Sequence, residues 1–209
     1  MTQADPFIRK LESLKEGERS RLRRLAGQPL DHAVPGFDLF TGLWWPLREK
    51  SAWAPRRETS WLVAKLFGVF PLPHVPSERD GPTTLAFMLG SCEPKHPACP
   101  DAALLSSVPP QRDPAKRQFI DARRFRLRFD ALLQTPLSGL EPHLRWALWS
   151  VGNAIQKEHA SGFDWVQLLD DLSKWDRGAE YGRTGDVRDQ WAEQYLNATS
   201  GTKGVEHVG

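Results

Sequence analysis

The chain has 209 residues, of which 40% are hydrophobic and 26% are charged, so it can bury a sizeable core and is not a disordered protein. No run of about 18 apolar residues is present and the first residues do not resemble a signal peptide, so we expect a cytoplasmic protein without a membrane span. The net charge of +2 is unevenly divided, because residues 1–130 hold 21 of the 28 lysines and arginines but only 15 of the 26 acids. Such segregation indicates a polyanionic partner, although an ordinary protein with uneven charge is the alternative.

Helical patterns dominate the N-terminal part of the chain. Asp5-Pro6 pairs a capping residue with a proline in the first turn, which predicts a helix from Pro6 to about Glu16-Gly17. The segment ERSRLRRLAG is predicted to be a second helix, with Gly27 as its stop. Apolar spacing predicts a helix over residues 56–70, which a proline-rich turn closes, and a shorter one in GPTTLAFMLG.

Prolines interrupt two regions of the sequence. The first contains Trp44-Trp45 and Trp53, and for these rings packing and base stacking both stay open. The second, at about residues 90–113, contains five breakers, namely Pro94, Pro97, Pro100, Pro109 and Pro110. We interpret it as a linker that joins an N-terminal helical subdomain, residues 1–110, to a C-terminal antiparallel helix bundle, residues 111–197. Residues 198–209 lack periodicity and are expected to be a disordered tail.

The segment ARRFRLRFDALLQTP, residues 122–136, belongs to a long predicted helix that begins behind Asp113-Pro114. About twenty residues give this helix a length of about 30 Å. Its buried arc on a helical wheel consists of Phe125, Phe129, Leu132 and Leu133. Six basic residues lie outside the arc: Arg117, Arg124 and Arg128 on one stripe, and Lys116, Arg123 and Arg126 along the other edge. Within the helix only Asp121 and Asp130 oppose them, so the positive charge exceeds what a solvated helix needs.

Three further helices are predicted after residue 137, which makes the whole protein all-α. The first follows Ser138-Gly139-Leu140-Glu141, whose spacing is that of a capping box, and buries Leu144, Leu148, Val151 and Ile155. Asp164 is predicted to cap the second, and the third is DVRDQWAEQYLN. The spacing assigns four tryptophans to the core, Trp149, Trp165, Trp175 and Trp191.

No motif of a known enzyme class is present, so we predict a non-catalytic protein without a cofactor. The adjacent acids Asp170-Asp171 are interpreted as surface residues, since neighbouring helical side chains point about 100° apart. A zinc site is the alternative, with Cys92, His96 and Cys99 as ligands and His74 or Asp101 as the fourth. Its spacing matches no standard zinc module, so a proline-rich loop with two incidental cysteines is favoured.

Basic clusters on separate helices are the main functional signal. Besides the long helix they comprise Arg19, Arg21, Arg23 and Arg24, then Arg56 and Arg57, then Arg145. If these clusters converge, they form a track that binds phosphates through charge and counterion release without reading bases. A helical scaffold whose arginines pair with acidic protein surfaces is the second hypothesis.

Six segments, in order, resemble the CasB family, the small subunit of the type I-E CRISPR surveillance complex Cascade: GERSRLRRLAG, PRRETSWLVAKLF, ARRFRLRFDALLQT, LRWAL, FDWVQLLDDLSKW and VRDQWAEQY. The resemblance is most specific where D-W-x-x-L-L-x-D-L-x-x-W precedes W-x-x-x-Y. It implies an all-helical, non-catalytic subunit that stacks with a second copy of itself and with other Cascade subunits on a CRISPR RNA. Its basic surface would hold the opened target DNA, notably the displaced strand, and stabilise the R-loop.

The resemblance places the family's basic positions at Arg23-Arg24, Arg56-Arg57, Arg123-Arg124 and Arg145. Four residues of the long helix complete the predicted nucleic-acid surface: Lys116, Arg117, Arg126 and Arg128. Residues 72–113 depart from the family pattern by their length and proline content. Arg79, the twelfth residue of the predicted surface, lies in that segment.

Overall fold

The computed structural model describes residues 4–28, 37–50, 55–77, 82–94, 114–158, 162–176 and 186–201. These residues form a 3-10 turn at Leu137–Gly139 and nine α-helices: α1 Ala4–Glu12, α2 Glu16–Arg24, α3 Phe37–Lys50, α4 Arg57–Val69, α5 Leu85–Cys92, α6 Pro114–Gln134, α7 Glu141–Glu158, α8 Trp165–Lys174 and α9 Val187–Gly201. Within those ranges, extended backbone pairs at one isolated bridge between His74 and Phe163. The predicted all-α class is confirmed.

Helix α4 lies at the centre of the N-terminal helices because its side chains are almost all apolar or small. Every residue from Thr59 to Gly68 is buried, and α2, α3, α7 and α8 pack around the helix. A Cβ atom added to Gly68 would lie 2.8 Å from the Leu22 Cβ and 2.9 Å from the Arg23 backbone nitrogen. Glycine therefore lets α2 cross α4 at backbone distance. The predicted helix over residues 56–70 is confirmed within one residue at each end.

The boundaries of α1 and α2 differ from their predictions. α1 begins two residues earlier than Pro6 and ends at Glu12, and α2 already begins at Glu16. The Lys15 backbone N–H donates to the Glu18 carboxylate at 2.9 Å, which satisfies one of the free donors at the start of α2. The Glu16-Gly17 pair therefore lies inside α2. Gly27 follows the end of α2 with a φ of +81°, as expected for a glycine stop.

Helix α3 was not predicted, because Pro46 lies inside it and a helix-interior proline costs about 3 kcal/mol. Packing outweighs this cost. Phe40, Leu43 and Leu47 are buried against α1 and α4, and the Phe40 ring meets the Trp61 ring edge-on at 5.1 Å between centroids. The interpretation of this region as broken by proline is therefore wrong for residues 37–50.

The second group of helices comprises α6 to α9, with α5 packed against α7 and α9. Helices α5 and α9 approach each other closely at Gly90, where an added Cβ atom would contact the Tyr195 backbone oxygen and lie 2.8 Å from the Ala198 Cβ. One hydrophobic cluster contains residues from both groups of helices. The predicted division near residue 110 stays a prediction, since residues 95–113 lie outside the described ranges.

Of the four tryptophans predicted to be core residues, Trp165, Trp175 and Trp191 are fully buried. Each buried indole N–H finds an acceptor, namely the Leu72 carbonyl, the Thr135 carbonyl and the Asp171 carboxylate. The prediction that Trp149 is a core residue is wrong, since its side chain is 60% exposed. Trp149 lies about 100° from the nearest member of the buried arc of α7, Leu148, which explains its exposure.

Three further expectations differ from the structure. Ser138 lies in the 3-10 turn, so it does not cap α7. Glu141, in the first turn of α7, accepts hydrogen bonds from the Gly27 backbone N–H and from Lys65 Nζ, the second at 2.6 Å. Asp171 is buried rather than on the surface. The chain stays helical to Gly201 with Ala198 buried, so residues 198–201 are not a disordered tail, and the remaining tail lies outside the described residues.

The Asp164 carboxylate caps α8 as predicted, accepting from the Gln167 backbone N–H at 2.9 Å. Among the described helices, none is sufficiently long and apolar to cross a bilayer.

Candidate nucleic-acid interface

Helix α6 presents the arginine-rich face that the sequence predicts. Phe129 and Leu132 are buried, and Phe125 and Leu133 pack partly buried against the core, so the predicted arc is confirmed. The four arginines of the described part of this helix are exposed: Arg123, Arg124, Arg126 and Arg128. Leu127 lies among them and is 57% exposed.

Arg126 differs from its neighbours because it is held by a carboxylate outside α6. Its Nε donates to Glu93 Oε1 at 2.5 Å, and the other oxygen of Glu93 accepts from the Tyr195 hydroxyl at 2.6 Å. The Tyr195 ring stacks on Phe129 with centroids 4.1 Å apart. Burial, and then the hydrogen bond to Glu93, raise the pKa of Tyr195 well above its usual value. We call the contacts among Glu93, Arg126, Tyr195 and Phe129 the Glu93 clamp. These contacts connect α6 to α9 and to the end of α5.

The contacts of Trp146 join the arginines of α6 to helix α7. The Trp146 ring meets Phe125 edge-on at 5.0 Å, and the Arg128 guanidinium lies over the same ring at 5.8 Å from its centroid. A short connection that contains the 3-10 turn joins α6 to α7, and the two helices contact each other; we call them the α6–α7 hairpin. Arg145 adjoins Trp146 and is exposed. The structure therefore places Arg128 on the ring of the residue that follows Arg145 in the chain.

The N-terminal arginines do not form one cluster. Arg23 Nε donates to the Gly68 carbonyl at 3.1 Å and its guanidinium lies 3.4 Å from Glu16, whereas Arg24 is exposed on the same turn. Arg56 and Arg57 are exposed at the opposite end of α4. Eleven residues separate Arg57 from Gly68, which is about 16 Å along a helix axis.

Three predicted site residues fall outside the described part of the chain. Arg79 lies outside the described residues, and the side chains of Lys116 and Arg117 at the start of α6 are also outside the description.

The alternative zinc site gains no support from the residues that can be placed. In the ranges described, no three His, Cys, Asp or Glu side chains are grouped so that they could hold a metal ion. Cys92 Sγ instead donates to the Ser150 carbonyl at 3.9 Å, and His74 lies against Asp164, 3.8 Å from Nδ1 to Oδ1. His96, Cys99 and Asp101 lie outside those ranges.

Sequence reasoning missed two residues of this region. Trp149 lies one turn after Arg145 on α7, and its position on the helical wheel, outside the arc of Leu144, Leu148, Val151 and Ile155, was the available signal. Glu93 was missed because nothing in a proline-rich segment indicates a contact with residues 33 and 102 positions away.

Known proteins share this arrangement of helices. Residues 18–196 match the family model described as CRISPR-associated protein Cse2. A crystal structure of CasB from M. ruber matches with a TM-score of 0.63 and 18% identity, over 99% of each chain. A CRISPR-associated protein of the Cse2 family from Thermus thermophilus matches with a TM-score of 0.58 and 23% identity, over 94% of this chain and 99% of that one. Among curated proteins, no sequence matches this chain.

Proposed function

Because the chain belongs to the CRISPR-associated Cse2 (CasB) family, whose members are subunits of the type I-E Cascade complex, we propose that it contributes a non-catalytic surface for nucleic-acid backbone. The α6–α7 hairpin binds phosphates of the displaced or target DNA strand and stabilises the R-loop. Its partners are the other Cascade subunits, a second copy of itself, the CRISPR RNA and the target DNA.

The exposed arginines of the hairpin carry this proposal. Within the described part of the chain, Arg123, Arg124 and Arg145 have no carboxylate partner, and Arg128 contacts an aromatic ring rather than an acid. Guanidinium groups in this state can exchange counterions for phosphates without first breaking an ion pair. Arg126 is committed to the Glu93 clamp, so its role is to orient α6.

Backbone binding suits R-loop formation on energetic grounds. Exchanging a DNA duplex for an RNA–DNA hybrid is nearly balanced in free energy, so contacts to the strand backbone can shift the equilibrium. Sequence specificity comes from the guide RNA. The subunit therefore needs distributed positive charge on a rigid support rather than base-reading side chains.

DNA affinity measured against salt tests the proposal. The purified chain is expected to bind single- and double-stranded DNA with little sequence preference, and six phosphate contacts to a single strand give a log–log salt slope of about −4. Arg124→Glu is expected to weaken binding and to make the slope shallower by about 0.7 for each phosphate that is no longer neutralised. Lys50→Glu, the same charge change at an exposed position of α3, is the matched control. Binding that ignores salt, or equal weakening in both variants, contradicts the proposal.

A second candidate function is a protein-interaction scaffold without direct nucleic-acid binding. The exposed Leu127, three and four residues from Arg124 and Arg123, favours it, because an apolar side chain ringed by arginines also suits a protein interface. Charge reversal at Arg124 and Arg128 separates the two functions. If the chain is only a scaffold, the charge reversal abolishes assembly with the Cascade subunits and leaves DNA affinity unchanged. If the chain binds nucleic acid as proposed, the charge reversal lowers DNA affinity and leaves assembly unchanged.

A further inference from the structure

We propose that Trp149 stacks on an unpaired nucleobase, so that the hairpin selects single-stranded over double-stranded nucleic acid. This inference rests on the proposed function and deepens it. The neighbouring arginines would hold the phosphates of the strand, while the indole would receive one base.

The first observation is the unusual exposure of this ring. Among the other large apolar residues of α7, Leu144, Leu148, Val151 and Ile155 are buried and Trp146 is partly buried, whereas Trp149 is 60% exposed. The described residues give its indole neither a ring partner nor a hydrogen-bond acceptor. Moving an exposed indole out of water is favourable by a large free energy. A ligand that covers the Trp149 ring would gain this free energy on binding.

The second observation is the charge beside the ring. Arg145 lies one helical turn before Trp149, and residues four apart share a face of the helix. Arg128 contacts the ring of Trp146, which lies three residues before Trp149 and so shares its side of α7. An open aromatic face next to cations is the combination that binds a base together with its phosphates, and it tolerates every base because each has a π-face.

The third observation concerns the strand that such a site accepts. Bases in a duplex are already stacked on their neighbours, so a ring on a helix surface reaches only bases that are free. Asp121 is exposed one turn before Phe125 on α6, and its negative charge is expected to weaken binding of any strand equally.

Oligonucleotides of equal length with and without bases test the inference, because an abasic strand keeps its phosphates. The wild-type chain is expected to bind a thymidine strand about tenfold more tightly than the abasic strand, which corresponds to about 1.4 kcal/mol. Trp149→Ala is expected to remove this preference and to leave abasic binding unchanged. Trp149→Phe, which keeps a ring, is expected to retain most of the preference.

Trp45→Ala provides the matched control, since Trp45 is 51% exposed on α3. A thymidine preference that survives in Trp149→Ala overturns the inference and leaves the proposed function intact. Wild-type protein that binds none of the strands in a salt-dependent manner overturns both. Loss of co-purification with the Cascade subunits in Trp149→Ala, at unchanged strand preference, assigns the ring to a protein contact and also overturns the inference.

Discussion

Asp171 shows how far one side chain can depart from its expected environment. Its carboxylate accepts from Trp191 Nε1 and from Gln167 Nε2, both at 2.7 Å. Burial raises the pKa of Asp171 to about 6, although these hydrogen bonds and the charge of Lys174 act in the opposite direction. The folded protein therefore binds this proton more tightly than the unfolded chain does, and ionisation of Asp171 favours unfolding.

This shift predicts a pH-dependent effect of Asp171→Asn. The pKa of this carboxyl is 3.8 in the unfolded chain. The free energy of unfolding of the wild type therefore declines relative to that of the neutral variant as the pH rises from about 4 to about 6. Above that pH the difference between the two proteins is constant. Two pKa units correspond to about 3 kcal/mol, which is an upper limit. Chemical unfolding of both proteins at several pH values measures the difference. A difference that stays constant across this pH range contradicts the prediction.

Residue-scale features were the least accessible to sequence reasoning. The Asp170-Asp171 pair reads as surface acids because the partners of Asp171 come from the preceding turn of α8 and from α9. Helical spacing assigned both Trp149 and Trp165 to the core, yet the first is exposed and the second is buried. Periodicity identifies which residues share a face, but whether a neighbouring helix covers that face depends on tertiary packing.

At the scale of elements, the crossing of α5 and α9 depends on the absence of a side chain at Gly90. Gly90→Ala would place a methyl group against the Tyr195 carbonyl and the Ala198 Cβ. We expect a decrease of about 1–3 kcal/mol in the free energy of unfolding, since a packed interface cannot accept added volume. Thermal unfolding would measure it as a lower Tm.

Gly42→Ala on α3 is the matched control for this prediction. An added Cβ there meets no atom within 4 Å, so alanine's better helix propensity is expected to leave stability unchanged or to raise it by up to about 1 kcal/mol. Equal effects of the two substitutions would show that helix propensity, rather than the close crossing, decides the outcome.

Most elements were predictable because their signals are local. The proline stop after α4, Gly27 after α2, the Asp164 cap of α8 and the apolar spacing of α6 are all contained in a few consecutive residues. α3 was not predictable by the same rules, because Pro46 argues against a helix and the packing that outweighs it comes from α1 and α4. The arginine surface of α6 was visible on a helical wheel, whereas its anchoring by Glu93 requires the folded chain.

At the scale of the whole molecule, the pair of Lys65 and Glu141 connects the two groups of helices. Lys65 Nζ on α4 donates to Glu141 Oε2 at 2.6 Å and to the Gln28 carbonyl at 2.8 Å, and both charged side chains are largely buried. The carboxylate also accepts from the Gly27 backbone N–H. Three segments, the turn after α2, the middle of α4 and the start of α7, therefore meet at one ion pair.

Removing one member of this pair is expected to cost more than removing both. Glu141→Leu leaves Lys65 buried without its carboxylate, so we expect a decrease in stability of about 3–5 kcal/mol. Lys65→Met with Glu141→Leu leaves no buried charge and is expected to cost less than Glu141→Leu alone, and therefore less than the sum of the two single substitutions. A double-mutant cycle by chemical unfolding measures the coupling, and additive effects would contradict it.

The enclosure of α4 determines where this molecule can tolerate sequence divergence. A helix surrounded on every side can exchange residues only for others of similar volume, so ten consecutive positions, Thr59 to Gly68, are constrained by fit alone. The outer face of α6 carries no such restriction, and its side chains can change without disturbing the interior. The protein thus separates a conservative interior from an adaptable exterior, which allows its recognition properties to be retuned while the architecture persists.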